Sequence, residues 1–330
     1  MPAHRRVSAT LLRCANCSTW ADSGMSGHTL RLATRASAQA TTQAQMAADA
    51  LMTAHPGLTV ELVFVDTLGD QRTDVPLHTM GGQGVFVKEV QHAVLRGDAD
   101  FAAHSAKDLP SIVAEGLQLA AFTERRDARD ALIGARLEQL PLGATLATGS
   151  VRRRAQMTQV RPDLQFIELR GNITTRLTKV PEGGALVMAI AALQILGLTD
   201  RIAEPLPLDM FVPSPGQGCV ALECRADDVA TAALLAAIDH PETRAAVSLE
   251  RAFLAELGTG CSLPVAAHCI GDQLTGFLSS SSANLHVTKS GGRGGGPAAV
   301  SQTVTVSGSG DERLVQAAAL ARSLQTELEG

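Results

Sequence analysis

Short apolar runs alternate with longer helix-favouring segments at the start of the chain. This spacing predicts strands at 30–34, 59–65 and 100–103 and helices at 36–55 and 85–96. Strands that alternate with helices of this length are typical of a doubly wound, parallel-type sheet. In such a sheet, ligands bind beyond the carboxyl ends of the strands.

A second block with the same alternation follows, and it predicts a second α/β lobe. We expect strands near 145–148, 164–168 and 186–189, with helices near 151–160 and 173–179. Ligand sites lie preferentially at the junction of two such units, so the lobes are expected to face a shared cleft.

The C-terminal part has a different pattern, in which a helix precedes a set of short strands. The helix predicted over 241–257 ends where Gly258, Gly260 and Cys261 break its apolar spacing. Short strands at 265–270, 274–279, 285–288 and 302–306 and a final helix at 311–328 predict a small α+β domain. The Gly-rich segment 290–297 predicts a flexible connector between two of these strands.

Composition narrows the class of protein without identifying a function. The 330 residues are 45% hydrophobic and 18% charged, which indicates a globular chain of two or three domains. No apolar run reaches the length of about 18 residues that a membrane-spanning helix needs. The net charge is −5, aromatic residues make up 3% and tyrosine is absent, which argues against a nucleic-acid partner.

Cysteine usage and the N-terminal segment bear on the cellular compartment. The 6 cysteines lack a regular disulfide spacing, which favours a reducing, cytosol-like compartment. Cys14 and Cys17 form a lone CxxC without the second half of a zinc site. The Arg-containing residues 1–24 leave two alternatives: a transit peptide, or an upstream start that adds a disordered leader over residues 1–27. We favour the leader.

Arginine residues recur at the predicted strand ends of an otherwise acidic chain. Arg35 follows the first strand, Arg152 and Arg153 begin a helix after a second-lobe strand, and Arg170 and Arg176 follow the next strand. Because strand ends converge in a doubly wound fold, these side chains predict a cationic cleft. Guanidinium groups pair with carboxylates through two hydrogen bonds, so we expect a substrate with several carboxylates. The alternative is that the arginine run lines a solvated helix face.

Asp108 and Cys261 carry further candidate chemistry. Asp108, beside Lys107, follows a predicted strand, where a carboxylate can stabilise a cation or accept a proton; the alternative is a helix N-cap. Cys261 lies in the loop TGCSLP, where it is either a nucleophile or covalent attachment point, or a small buried apolar residue. The segment GGQG (81–84) lacks the GxGxxG spacing, which argues against dinucleotide binding.

A set of motifs, in a fixed order over residues 28 to 270, resembles one known family. The motifs are LATRAS (32–37), GDQ (69–71), GVFVKEVQHAVL (84–95), HSAKDLP (104–110), ERRDARDAL (124–132), TGSVRRRAQ (148–156), LRGNITTRL (169–177), PGQG (215–218) and ERAFLAELGTGCSLPVAAH (250–268). Together they resemble the porphobilinogen deaminases, also called hydroxymethylbilane synthases. The combination of HSxKDLP with the cysteine loop is the specific part of this resemblance.

The resemblance implies an architecture and an activity. The architecture is two periplasmic-binding-protein-like lobes, residues 28–123 with 215–239 and residues 124–214, followed by a small α+β domain over 240–330 that carries the cofactor. The activity is that of a transferase, which condenses four porphobilinogen molecules head to tail, releases ammonia at each addition and yields hydroxymethylbilane for haem biosynthesis. We expect a cytoplasmic monomer without membrane or nucleic-acid partners; an organelle is the alternative if the leader is a transit peptide.

The matched motifs also imply site residues. The family's dipyrromethane cofactor would be bound by a thioether to Cys261, and Asp108 would be the catalytic carboxylate that stabilises the cation left by ammonia and accepts a proton from the new ring. The other implied cofactor-binding residues are Lys107, Ser37, Gln43, Ser150, Arg152 and Arg153. The implied substrate-binding residues are Arg35, Thr148, Arg170, Asn172, Arg176 and Gln217; no metal is expected.

The chain departs from the family's pattern at several positions. Gln83 stands where many relatives have lysine and Ile195 where a basic residue is common, so we expect two positive charges fewer at the cleft. Ala38-Gln39 replaces a common apolar pair, and the segment 180–193 is shorter than usual. Two other classes of protein stay open. One is a non-catalytic receptor for an anionic ligand. The other is a pyridoxal phosphate enzyme that uses Lys107, although the sequence has no recognisable site for the cofactor's phosphate.

Overall fold

A computed structural model describes residues 28–67, 84, 86–258, 264–280 and 299–330. In this part of the chain the strands form two sheets of 5 strands and one sheet of 3 strands, with helices packed against them. This arrangement confirms the predicted fold class of two doubly wound α/β units and a smaller α+β unit. Among the described helices, none combines the length and the apolar character that crossing a membrane requires.

The first sheet is built mainly from the N-terminal third of the chain. Its elements are β1 (His28–Thr34), α1 (Ala38–Ala54), β2 (Leu58–Phe64), α2 (Lys88–Leu95), β3 (Phe101–Ser105), β4 (Leu117–Phe122) and β10 (Val220–Arg225). The strand order is β2-β1-β3-β10-β4; β1 is parallel to β2 and β3, whereas β10 is antiparallel to β3 and β4. The carboxyl ends of β1 and β3 are therefore neighbours, and so are the turns that follow them.

The start of α1 shows how the sequence fixes one of these turns. Ser37 accepts a hydrogen bond from the Ala40 backbone N–H and caps the helix. The buried residues of α1 recur at helical spacing and include Ala44, Ala48 and Leu51, which pack in the core of the first sheet. The cap and the buried stripe together place the β1–α1 turn, with Arg35, at the carboxyl edge of the sheet.

The second sheet is formed by the middle of the chain. Its elements are β5 (Asp130–Ile133), β6 (Thr145–Ala147), α3 (Val151–Val160), β7 (Gln165–Ile167), α4 (Ile173–Leu177), β8 (Ala185–Ala189), α5 (Ile190–Ile195) and β9 (Glu204–Pro205). The strand order is β7-β6-β8-β5-β9, in which β6 is parallel to β7 and β8 while β5 is antiparallel to β8 and β9. The turns that begin α3 and α4 follow β6 and β7, so they lie at one edge of this sheet.

The C-terminal unit packs two long helices on a small antiparallel sheet. After α6 (Val229–Leu235), its elements are α7 (Pro241–Glu256), β11 (Val265–Ile270), β12 (Gln273–Ser279), β13 (Ala299–Thr305) and α8 (Gly310–Glu329). Phe253 of α7 and Leu324 of α8 are fully buried in its core. Both approach Gly276 of β12 so closely that a Cβ there would lie 2.6 Å from the Phe253 ring.

The structure differs from the sequence-based expectations mainly at strands that the pattern did not reveal. β4, β5 and β10 were not predicted, and β5 and β10 each add an antiparallel strand to a sheet whose other paired strands include parallel ones. The predicted strand at 285–288 and connector at 290–297 lie outside the described residues. The division of the chain into a leader, two lobes and a third domain at the stated boundaries stays a prediction.

Candidate active site

Asp108 lies at the carboxyl edge of the first sheet, directly after β3. The 3₁₀ turn Ala106–Asp108 follows Ser105, and the Asp108 side chain is half-buried. The alternative that Asp108 caps a helix is wrong, because residues 109–116 form no helix. Gly216 packs against this turn with φ +73°, and a Cβ there would lie 3.0 Å from Ala106. Residues 215–218, where the chain returns to the first sheet, therefore pack closely against the turn that carries Asp108.

Lys107 extends from the same turn toward the second sheet. Its ammonium donates a hydrogen bond to Gln217 Oε1 at 3.3 Å. Burial lowers the pKa of Lys107 to about 8, and the charge of Arg153 contributes, whereas the carboxylates of Asp108 and Asp130 oppose the change. Lys107 therefore exchanges its proton near neutral pH far more readily than an exposed lysine does.

Asp130, at the start of β5, is the buried acceptor around which the predicted arginines gather. Its Oδ2 accepts from Arg152 Nη2 and its Oδ1 from Arg153 Nη2, both at 2.8 Å. Gln217 Nε2 donates to the same Oδ1 at 2.9 Å. Burial disfavours the ionised carboxylate, but the two guanidinium groups outweigh it and hold the pKa of Asp130 well below its ordinary value. The alternative of a solvated arginine face is wrong for Arg152, which is buried.

Arg176 brings the other predicted arginines into the same electrostatic cluster. Its Nε donates to the Gly171 carbonyl at 2.7 Å. Burial, together with the charges of Arg153, Arg170 and Arg35, lowers the pKa of Arg176 to about 10, while the charge of Asp108 opposes this change. Arginines of both sheets therefore act on one region together with Asp108, as the convergence of strand ends predicts.

Arg35 is oriented by an aromatic ring. Its guanidinium carbon lies 4.1 Å from the centre of the Phe86 ring, a distance at which a cation is attracted to the ring face. Phe86 belongs to the turn that precedes α2. The ring gives Arg35 a defined position beside the turn between β1 and α1.

The predicted hydroxyl and amide donors lie at the turns that begin helices. Ser37, Ser150 and Asn172 are the N-cap residues of α1, α3 and α4, and their side-chain oxygens accept from Ala40, Arg153 and Thr175 backbone N–H groups. Thr148 is buried and accepts from the Ser150 N–H at 3.2 Å. Gln43 is also buried, and its Oε1 accepts from the Ser105 hydroxyl at 3.0 Å. Each of these groups thus has a local role in fixing the turns.

A small pocket between the first two units is lined by Gln43, Lys107 and Gln217 of these groups, whereas Asp108 and the predicted arginines are not among its described lining residues. Residues of the first sheet and of the returning chain line one side, and Ala189 at the end of β8 with Ala192 and Ile195 of α5 line the other. Lys107 and Arg126 are the cations among its described lining residues. Ile195 therefore gives the cleft wall an apolar side chain where the resemblance predicts a basic one.

Sequence reasoning missed Asp130 and placed Gln217 only by resemblance. Gln217 is buried, with its amide nitrogen 2.7 Å from the Ala128 carbonyl. The sequence signal that could have revealed Asp130 is its place at the start of an apolar strand. A carboxylate in such a buried position needs a charged partner, so this placement predicts an ion pair. Cys261 and Gln83 lie outside the described residues.

Comparison with known proteins assigns the chain to a family. The family model described as "Porphobilinogen deaminase, dipyromethane cofactor binding domain" matches residues 30–233. The chain belongs to the porphobilinogen deaminase family. Its relatives include the porphobilinogen deaminase of Geobacter sulfurreducens, 46% identical over 259 residues that cover 76% of this chain and 81% of the relative. That of Xanthomonas oryzae pv. oryzae is 49% identical over 244 residues, 72% of this chain and 80% of the relative.

The solved structures add less to this assignment. The methionine binding protein MetQ is 14% identical, with a TM-score of 0.42 over 63% of this chain and 88% of that chain. That likeness is too weak to carry an argument about the ligand. Membership of the porphobilinogen deaminase family, expected from the ordered motifs, is confirmed by the family model and the relatives.

Proposed function

We propose that this chain performs the family's reaction, the stepwise condensation of four porphobilinogen molecules into hydroxymethylbilane with loss of ammonia at each addition. One observation carries the proposal: the half-buried carboxylate of Asp108 interacts electrostatically with the adjacent Lys107 and with Arg176 of the second unit, on which Arg35, Arg153 and Arg170 also act. A single carboxylate among several cations suits a substrate that brings many carboxylates and develops one positive charge.

Asp108 would act on the atom where that charge develops. Loss of ammonia from porphobilinogen leaves a cationic methylene group on the pyrrole ring. A fixed carboxylate in a partly buried cleft stabilises such a cation more strongly than water does, because it is already oriented when the charge forms. Asp108 would then accept the proton that leaves the newly joined ring.

The arginines would bind the acidic side chains of the rings. Each porphobilinogen carries an acetate and a propionate, so the negative charge in the cleft rises with every addition. We assign Arg35, Arg170 and Arg176, with Thr148, Asn172 and Gln217, to the substrate. Guanidinium groups suit this task because they stay charged and form paired hydrogen bonds with carboxylates.

The residues present also fit a dipyrromethane cofactor. Arg152 Nε and Arg153 Nε are buried and lack a hydrogen-bond acceptor within the described part of the chain, so an acidic ligand would satisfy donors that the fold leaves over. Residues assigned to hold it are Lys107, Ser37, Gln43, Ser150, Arg152 and Arg153, with Cys261 as the thioether anchor. When bound, the cofactor supplies the primer to which the first substrate ring is added.

Replacement of Asp108 tests the proposal. We expect Asp108→Asn to lower kcat by about a hundredfold or more, the size typical of a lost acid–base group. Asp98→Asn is the matched control, because Asp98 is exposed near the other end of β3 and pairs with Arg96. Ammonia release from porphobilinogen is measured for both variants, and intact mass spectrometry checks for the bound pyrroles. Near-normal turnover by Asp108→Asn would remove the catalytic assignment, and wild-type protein that binds porphobilinogen without releasing ammonia would be a receptor.

A further inference from the structure

A chain of polar contacts links Lys107, after β3 of the first sheet, to Asp130 at the start of β5 in the second sheet. Gln217 forms the link: its Oε1 accepts from Lys107 Nζ at 3.3 Å and its Nε2 donates to Asp130 Oδ1 at 2.9 Å. Gln217 and Asp130 are both 1% exposed. Arg125 Nε donates a hydrogen bond to the Gln217 backbone carbonyl at 2.9 Å, and this contact fixes the position of Gln217.

Both carboxylate oxygens of Asp130 also accept hydrogen bonds from arginines of the second unit. Arg152 donates from one terminal nitrogen to Asp130 and from the other to the Val212 carbonyl, at 2.8 Å each. Arg153 likewise divides its terminal nitrogens between Asp130 at 2.8 Å and the Val187 carbonyl at 3.1 Å. The two guanidinium groups are therefore held by their ends, and their Nε–H groups are left without acceptors in the described structure.

We propose that Asp130 is the positioning residue of this site, which holds Arg152 and Arg153 directly and Lys107 through Gln217. This role rests on the proposed function, in which those three cations bind acidic ligand groups. Asp130 itself contacts no ligand in this scheme. Its carboxylate sets the orientation of the two guanidinium groups and lies between cations that would otherwise repel one another.

The charges around Lys107 determine what the loss of Asp130 would do. Asp108 and Asp130 favour the charged ammonium, Arg153 and Arg152 disfavour it, and Arg126 lines the same cleft. Without Asp130, two buried guanidinium groups lose their counter-charge, which is costly. Arginine does not release its proton in proteins, whereas lysine does so readily when it is buried. The pKa of Lys107 would therefore fall further, and a larger fraction of Lys107 would be neutral near pH 7.

Chemical labelling of Lys107 measures this effect without any bound pyrrole. The full chain carrying Cys261→Ala is methylated with formaldehyde and cyanoborohydride across a range of pH, and the Lys107 peptide is quantified by mass spectrometry. Lys179, which is exposed, serves as the internal reference. Asp130→Asn is added in this background, with Asp163→Asn as the control that removes another arginine-paired carboxylate of the second sheet.

We expect the labelling midpoint of Lys107 to fall by about one pH unit or more in Asp130→Asn, the shift that loss of a nearby charge produces. A fall from about 8 to about 7 raises the neutral amine at pH 7 from about a tenth to about a half, so labelling becomes about fivefold faster. The Asp163→Asn control should label like its parent. An unchanged Lys107 midpoint in folded Asp130→Asn protein would overturn the proposal.

A second variant covers the case in which Asp130→Asn fails to fold. Gln217→Leu removes the link but leaves Asp130 paired with both arginines, and it should also accelerate the labelling of Lys107, because the ammonium loses its acceptor. Labelling of Lys107 at the parent rate in this variant would equally overturn the proposal. Because the labelled proteins carry Cys261→Ala and need no substrate, failure of the proposed function would appear separately, as absence of turnover in the wild-type chain.

Discussion

Replacement of Glu250 tests how the C-terminal unit is joined to the segments that form the site. It lies on α7, is fully buried, and accepts from Arg125 Nη1 at 2.6 Å and Nη2 at 3.1 Å. The backbone N–H groups of Gly216 and Cys269 donate to it at 2.8 Å each, and His268 Nδ1 lies 3.3 Å away. One carboxylate thus joins the segment after β4, the chain returning to the first sheet, and β11. The perturbation is Glu250→Gln, which keeps the shape and removes the charge.

The expected loss of stability follows from the contacts and the pKa of Glu250. Burial opposes ionisation, but the charges and hydrogen bonds of Arg125 and His268 outweigh it and lower the pKa of Glu250 from 4.5 to about 2. Since one pKa unit corresponds to about 1.4 kcal/mol, the ionised carboxylate contributes about 3 kcal/mol above pH 4.5. Breaking a buried pair by removing one partner costs about 3–5 kcal/mol, which agrees with this value.

The pH dependence has a defined sign. The pKa of Glu250 is lower in the folded than in the unfolded chain, so its stabilisation is complete above about pH 4.5 and is lost as the pH falls toward about 2. The wild type should therefore lose stability over this range, whereas Glu250→Gln should lack this contribution. The difference between the two proteins should shrink as the solution is acidified.

Urea unfolding followed by far-ultraviolet circular dichroism measures these differences. A chain with several units need not unfold in one step, so the comparison uses the transition that the substitution shifts. Glu256→Gln on the same helix is the control: Glu256 pairs with Arg322, but both side chains are partly exposed, at 32% and 55%. That exposed pair should be worth less than about 1 kcal/mol. A loss of stability in Glu250→Gln no larger than in Glu256→Gln, or a difference that persists unchanged in acid, would refute the role assigned to the Glu250 carboxylate.

The remaining predictions concern the anchor and the core of the third unit. Cys261→Ala should give a folded protein whose intact mass lacks bound pyrroles, and recovery of covalent chromogen in that variant would assign the anchor to another cysteine. Gly276→Ala should lower the free energy of unfolding by about 1–3 kcal/mol, because the new Cβ would meet the Phe253 ring. Gly310→Ala has open space at the Cβ position and should unfold like the wild type in the same thermal scan, so equal midpoints for all three proteins would contradict the packing argument.

Elements with strong local signals were predictable, and those made by distant pairing were not. The bounds of α3 and β11 match their predicted ranges, because a capped helix and a short, mostly apolar run bounded by turn residues are defined by neighbouring residues. β10 was missed because its strand partners, β3 and β4, lie about a hundred residues earlier in the chain. Its buried Glu223 also interrupts an apolar pattern, and only the approach of Gln91, at 3.0 Å, and of His104 explains a carboxylate there.

The same distinction applies within the candidate site. Resemblance supplied Asp108, Lys107 and the arginines because their motifs are contiguous in the sequence. It gave no role to Asp130, whose two arginine partners lie 22 and 23 residues further along the chain. Which arginines are held internally and which act on the Asp108 region depends on three-dimensional distances, because electrostatic interactions depend on separation in space and on burial.

The amino-acid sequence by itself determined the alternation of strands and helices, the family, and the residue types available for chemistry with a polyacidic substrate. Only the tertiary structure decided that β10 is an antiparallel strand between β3 and β4, that Gln217 links Lys107 to Asp130, and that Glu250 joins three separate segments. Local patterns encode local structure because helices and turns form between near neighbours in the chain. Buried charges find their partners only when the sheets pack together, because the desolvation that makes such pairs necessary arises at that stage.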